Sequence, residues 1–170
     1  MINNAGSVKT PVPDIMEDWN NKLTTAAEKG DIEALKLSLQ NGAEIDYQNV
    51  GGWTALMLAA REGYLEICRL LIDTGCKIDI TGGGGETALM LAAMTGHLEI
   101  CKLLIDTGCK IDITEKMDGY TALHLAAQYG HLQTTRCLVE QGGASPLVKS
   151  HKEQLNATKW AKHVADIIKR

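Results

Sequence analysis

Residues 54–81 read TALMLAAREGYLEICRLLIDTGCKIDIT, and residues 87–114 read TALMLAAMTGHLEICKLLIDTGCKIDIT. At an offset of 33, 24 of these 28 positions are identical; only Arg61/Met94, Glu62/Thr95, Tyr64/His97 and Arg69/Lys102 differ. A third copy, TALHLAAQYGHLQTTRCLVEQGG, begins at Thr121, 34 residues after Thr87. Counting back 33 from Gly63 reaches Gly30, inside a more polar copy at residues 23–46, and residues 156–170 match loosely at the other end. Self-similarity at a period of about 20–50 residues is the mark of a repeat architecture.

Each copy carries two helical patterns. Leu56, Leu58, Ala59 and Ala60 form a short run whose alanines let a neighbouring helix approach closely, and Gly63 breaks it where a positive φ suits a helix end. Leu65, Ile67, Cys68, Leu70, Leu71 and Ile72 form a second, more apolar helix that Gly75 ends. Thr54, Thr87 and Thr121 stand where a first helix starts, placed to bond free backbone amides. Ile78 and Ile111 are expected to face inward, and Asp79 and Asp112 to make local turn hydrogen bonds. One helix pair of this size cannot bury its apolar faces, so several must stack. The end copies are more polar, with Lys22, Glu28, Lys29, Glu33 and Lys36 at the start and Lys159, Lys162, His163 and Lys169 at the finish.

The copies resemble the ankyrin repeat, with its pattern G-x-T-P-L-H-x-A-A-x-x-G-H-L-E followed by L-L-L-x-x-G-A-D. The matching stretches are GWTALMLAAREGYLE at 52–66 and GYTALHLAAQYGHLQ at 119–133. Two departures stand out. Ala55, Ala88 and Ala122 replace the proline, and Met57 and Met90 replace the histidine that His124 keeps. Proline at a first turn only pre-sets a backbone angle. The resemblance implies an all-α solenoid of about five stacked helix-turn-helix repeats with short hairpin loops. Residues 1–18, with Pro11 and Pro13, are expected to be a flexible tail, and 19–170 the repeat domain. Within it, 19–49 is an N-terminal capping repeat, 50–82, 83–115 and 116–149 are internal repeats, and 150–170 is a C-terminal cap with Trp160 covering the last repeat. The function the resemblance implies is a protein-interaction scaffold or adaptor.

Composition narrows the alternatives. The chain is 45% hydrophobic and 22% charged with a formal net charge of −4, and no basic face of the kind that binds nucleic acid stands out. No stretch reaches the roughly 18 apolar residues of a membrane span, and residues 1–18 do not read as a signal peptide. Five cysteines without an export signal suggest a reducing compartment, the cytoplasm or the nucleus. Cys68/Cys101 and Cys76/Cys109 occupy equivalent positions in successive copies, on the order of 10 Å apart, too far for a disulfide or a shared metal. Cys76 and Cys109, just past helix ends, are expected to be partly exposed. The run Gly82–Gly85 lacks the G-K-[ST] ending and the preceding strand of a phosphate loop, and reads as a flexible hairpin tip. His97 and His131 are expected in inter-helix turns and His124 bonded to the Thr121 hydroxyl. No base, nucleophile and oxyanion donor converge, so no enzyme, cofactor or metal site is expected.

The exposed candidates are the positions that vary between copies. The expected protein-binding surface comprises Tyr47, Gln48, Val50, Trp53, Arg61, Glu62, Glu86, Met94, Thr95, Met117, Asp118, Tyr120, Gln128 and Tyr129, on the hairpins and first helices. Trp53, Arg61, Glu62, Met94, Tyr120 and Tyr129 are expected at its centre, because Trp, Tyr and Arg most often carry interface energy. The alternative for Trp53 and Tyr120 is packing over a neighbouring hairpin. The expected partner is an intracellular protein, neither nucleic acid nor membrane, bound by a monomer. An architectural or self-associating repeat segment of a larger assembly is the alternative role.

Overall fold

The computed structural model describes residues 18–151, 164–166 and 169. Its helices come in pairs: α1 (Trp19–Lys29) with α2 (Ile32–Gln40), α3 (Ala55–Glu62) with α4 (Leu65–Asp73), α5 (Ala88–Thr95) with α6 (Leu98–Asp106), and α7 (Ala122–Gln128) with α8 (Leu132–Glu140). No strand occurs among the described residues. Residues 1–17 of the expected tail, Trp160 and most of the 150–170 cap lie outside them; Asp18, the last residue of that tail, instead caps α1, and of the C-terminal cap Val164 is buried.

The helix starts follow from the threonines. Thr54 Oγ1 accepts from Met57 N at 3.3 Å, Thr87 Oγ1 from Met90 N at 3.2 Å, and Thr121 Oγ1 from His124 N at 3.4 Å. His124 answers through Nδ1, which accepts from Thr121 N and bonds the Thr121 hydroxyl at 2.8 Å. Where Met57 replaces that histidine, its sulfur stands 3.5 Å from Thr54 N and takes the same role as a weaker acceptor. The first copy lacks this threonine, and Asp18 caps α1 through Asn21 N instead.

The first helices stack closely. Ala26, Ala59, Ala92 and Ala126 are buried, and α3 lies along both α1 and α5, while α4 touches α6 only briefly. The closer spacing on one side leaves the first helices and hairpin tips on the inner side of the stack. Leu23, Leu35, Leu71, Leu104 and Leu138 are fully shielded, each worth about 1.5–3 kcal/mol of apolar burial.

Three kinds of joint tie each pair to the next. The first is an aromatic ring over a glycine: His97 covers Gly63 and bonds Arg61 O through Nε2 at 3.1 Å, and His131 covers Gly96 and bonds Met94 O at 2.9 Å. Tyr64 lies over Gly30 in the same way. Gly63 sits at φ +88, and a Cβ there would stand 2.5 Å from the His97 ring, so both its backbone and its bareness are required.

The second joint corrects the expectation for the aspartates. Asp79 Oδ1 accepts from Lys110 N at 2.9 Å and Asp112 Oδ1 from Ser145 N at 3.1 Å, reaching into the following repeat and not into their own turn. Asp46 does the same for Lys77 N at 2.8 Å. The reason is geometric: each aspartate lies past the second helix of its own pair, and the free amide it meets lies past the second helix of the next pair, stacked alongside it.

The third joint runs between hairpin tips. Gln48 Nε2 donates to Thr81 O at 3.0 Å, Lys116 N to Gly84 O at 2.8 Å, and His151 N to Asp118 O at 2.6 Å. The run Gly82–Gly85 closes on itself through Gly85 N to Gly82 O at 3.0 Å, and Gly51 and Gly52 pack against Gly83. Its glycines are the close-approach surface between neighbouring tips.

Candidate protein-interaction surface

The variable positions of the first helices come into register along the inner side. Arg61, Met94 and Gln128 occupy equivalent places on α3, α5 and α7, with Glu62, Thr95 and Tyr129 beside them. Their surroundings differ. Arg61 is held by three contacts: Nη2 to Glu28 Oε1 at 2.9 Å, Nε to Glu62 Oε1 at 2.6 Å, and its guanidinium 4.8 Å above the Trp53 ring. Met94 is half-buried and packed on the core. Thr95 turns its hydroxyl back to Leu91 O at 2.9 Å. Gln128 and Tyr129 are exposed.

At the tips, Val50 is fully exposed and Met117 is 83% exposed. Gln48 is exposed but its amide is engaged, as is the Glu86 carboxylate, which accepts from Gly84 N at 3.1 Å. Tyr47 is half-buried, its hydroxyl 3.5 Å from Asn21 Oδ1. Asp118 is half-buried within the last tip.

Trp53 and Tyr120 also carry structural contacts. Trp53 is half-buried on the core, and a Cβ on Gly82 would meet its ring at 2.8 Å, so the indole lies against the next hairpin. Tyr120 stacks on His124 with ring centroids 5.6 Å apart. The freest large apolar side chains here are therefore Val50, Met117 and Tyr129.

Several groups on this side were missed by the sequence reading. Glu28 belongs to the surface through Arg61, and the signal was there: opposite charges 33 residues apart sit at equivalent positions of adjacent copies. Asn21, Thr25 and Glu28 lie on one face of α1 and, with Asn49 and Val50 of the tip and Leu58 beneath, enclose a cleft of about 210 Å³. Glu115 organises the last tip, accepting from Met117 N at 2.6 Å, Asp118 N at 2.7 Å and Tyr120 N at 3.0 Å. Partial burial pushes its carboxyl up, but those three backbone donors outweigh it and hold the group below its ordinary value.

The cysteines stand apart from this surface chemistry. All five are free thiols; Cys76 is half-buried, while Cys109, contrary to expectation, is buried, because the chain past α6 folds back onto the core. Burial, with the Cys76 thiol close by, pushes Cys68 up to about 12; burial beside Asp46 does the same for Cys76, and burial beside Asp79 for Cys109. Such thiols are poor nucleophiles. Among the described residues, no three His, Cys, Asp or Glu side chains cluster as a metal site would require, and no helix is long and apolar enough to cross a membrane.

A family profile described as ankyrin repeats (3 copies) matches residues 23–115 and 80–150. The chain belongs to the ankyrin repeat family, whose modules generally mediate protein–protein interaction. No curated protein matches the chain.

Proposed function

We propose that this chain is a non-enzymatic scaffold or adaptor that binds an intracellular protein partner through its inner surface of hairpin tips and first helices. One observation carries the reading. Two internal copies agree at 24 of 28 positions, and three of the four differences, at 61/94, 62/95 and 64/97, fall at the end of the first helix and its turn. The pair 64/97 belongs to the ring-over-glycine joint, while 61/94 and 62/95 vary on the inner side against a nearly constant framework, the pattern of a recognition surface on a repeat scaffold. The site comprises Tyr47, Gln48, Val50, Trp53, Arg61, Glu62, Glu86, Met94, Thr95, Met117, Asp118, Tyr120, Gln128 and Tyr129, and its energetic centre moves to the freest apolar side chains, Val50, Met117 and Tyr129.

The test is affinity capture from native cell extract with the combined Val50→Ala, Met117→Ala and Tyr129→Ala variant. These side chains are exposed, so folding by circular dichroism stays native and partner recovery falls. Unchanged recovery with native folding refutes the assignment. Self-association is the second reading, and the outer face of the first pair favours it. Trp19, Lys22, Ala26, Ala34 and Leu37 line an open trough of about 600 Å³, and Leu37 is 50% exposed where its equivalents Leu70 and Leu103 are packed on the core. A dimer whose population rises with concentration in light scattering would select that reading.

A further inference from the structure

We infer that the cleft between α1, α3 and the first hairpin tip receives one basic side chain, lysine or arginine, of the bound protein. The inference deepens the inner-surface reading and rests on it. The cleft holds about 210 Å³, below the roughly 300–1,000 Å³ of small-molecule sites, and suits a single long side chain. Val50, fully exposed, offers apolar surface for an aliphatic stem above the buried Leu58 at the floor, and Glu28 is the one ionisable residue lining the cleft.

The charge balance points the same way. Glu28 and Glu62 share a single guanidinium, that of Arg61, so the cluster carries two carboxylates against one cation. Arg61 is fixed between them and against Trp53, while the Glu28 side chain remains 51% exposed beside the cleft. A lysine or arginine laid against Val50 covers its stem and brings a second positive charge to the two carboxylates that share Arg61. A neutral apolar side chain would desolvate the exposed part of the carboxylate while adding no charge to the pair that shares Arg61, and an acidic one would be repelled.

The position is also unique along the stack. At the places equivalent to Glu28 the following repeats carry Arg61, Met94 and Gln128, none of them acidic. At this register a carboxylate occurs at one end of the inner surface, which fixes the direction in which a partner segment lies across it.

The full chain, labelled with ¹⁵N, is titrated at constant ionic strength with N-acetyl-argininamide, N-acetyl-lysinamide and N-acetyl-norleucinamide. Saturable shifts at the amides of Asn21, Thr25 and Gly51 are expected with the two cationic probes and not with the neutral one. Glu28→Gln, at a half-exposed side chain, should weaken the response about tenfold, the loss of one charge-assisted contact. Glu66→Gln, on α4 and outside the cleft lining, should leave it unchanged. Equal shifts from the norleucine probe, or an unaltered titration in Glu28→Gln, overturns the inference. If the titration fails while partner capture still depends on Val50, Met117 and Tyr129, only the cleft assignment falls. If the titration succeeds while capture ignores those residues, the inner-surface reading falls, and with it the partner assigned to the cleft.

Discussion

Gly63 and Gly75 offer a matched pair for testing how the repeats are joined. Both end helices at positive φ, +88 and +96. A Cβ at Gly75 meets nothing within 4 Å, whereas one at Gly63 would lie 2.5 Å from the His97 ring. Gly75→Ala should therefore cost only the backbone penalty of a left-handed alanine, about 1 kcal/mol. Gly63→Ala adds displacement of His97 and loss of its bond to Arg61 O, about 1 kcal/mol more, with further loss from repacking. The expected total is about 2–3 kcal/mol, against about 1 for the control. Urea unfolding followed by far-ultraviolet circular dichroism measures both, and melting should fall about 2–4 °C per kcal/mol for a chain of this size. In a His97→Ala background the Gly63→Ala penalty should shrink to that of Gly75→Ala, a coupling of about 1–2 kcal/mol. Equal penalties at the two glycines in the unaltered background would refute the ring-over-glycine joint.

Asp79→Ala, which leaves the Lys110 amide without its acceptor, should cost about 1–2 kcal/mol and raise hydrogen exchange at Lys110 specifically; a change confined to the turn at Asp79 would contradict the joint. Thr121→Ala removes a buried cap and the His124 Nδ1 partner together and should cost about 1–2 kcal/mol in thermal unfolding, more than the roughly 0.5 kcal/mol of an ordinary surface substitution. The buried thiols set a pH dependence. Cys68 is raised from 9.0 to about 12, so between those values the unfolded chain has lost its proton while the folded chain keeps it. Stability should be full below pH 9 and fall as pH rises toward 12, by about 1.4 kcal/mol per pH unit for each such thiol. Cys68→Ala should flatten that slope in urea midpoints measured from pH 8 to 10.5, whatever its own cost at pH 7; an unchanged slope refutes the account.

The period, the threonine starts and the glycine stops were legible because they depend on the chain's nearest neighbours. Thr54 can serve only the amides that follow it, and Gly63 interrupts α3 wherever the helix is placed. The aspartates were misread because a short acceptor after a helix serves its own turn or the next repeat equally well until the stacking distance is known. Trp53 resists sequence reading for the same reason: its half-burial depends on Gly82 and Arg61, residues brought to it by the fold. Glu28 was counted only among the polar residues of the end copy, where one more charge looks like solubility. Placing it beside Arg61, one period on, turns it into a neighbour.

The couplings between helix pairs recur at nearly the same spacing: the aspartate reaches 31 residues ahead in two cases and 33 in the third, and the ring bonds a carbonyl 36 or 37 residues behind it. Like carriages with a common hitch, blocks of one period can be added or removed while both ends still connect. Excising residues 82–114 would bring Asp79 to face Ser145 and His131 to face Arg61, each pairing of a kind the intact chain already uses. The length of the stack can thus change by whole periods without redesign of the parts that hold it.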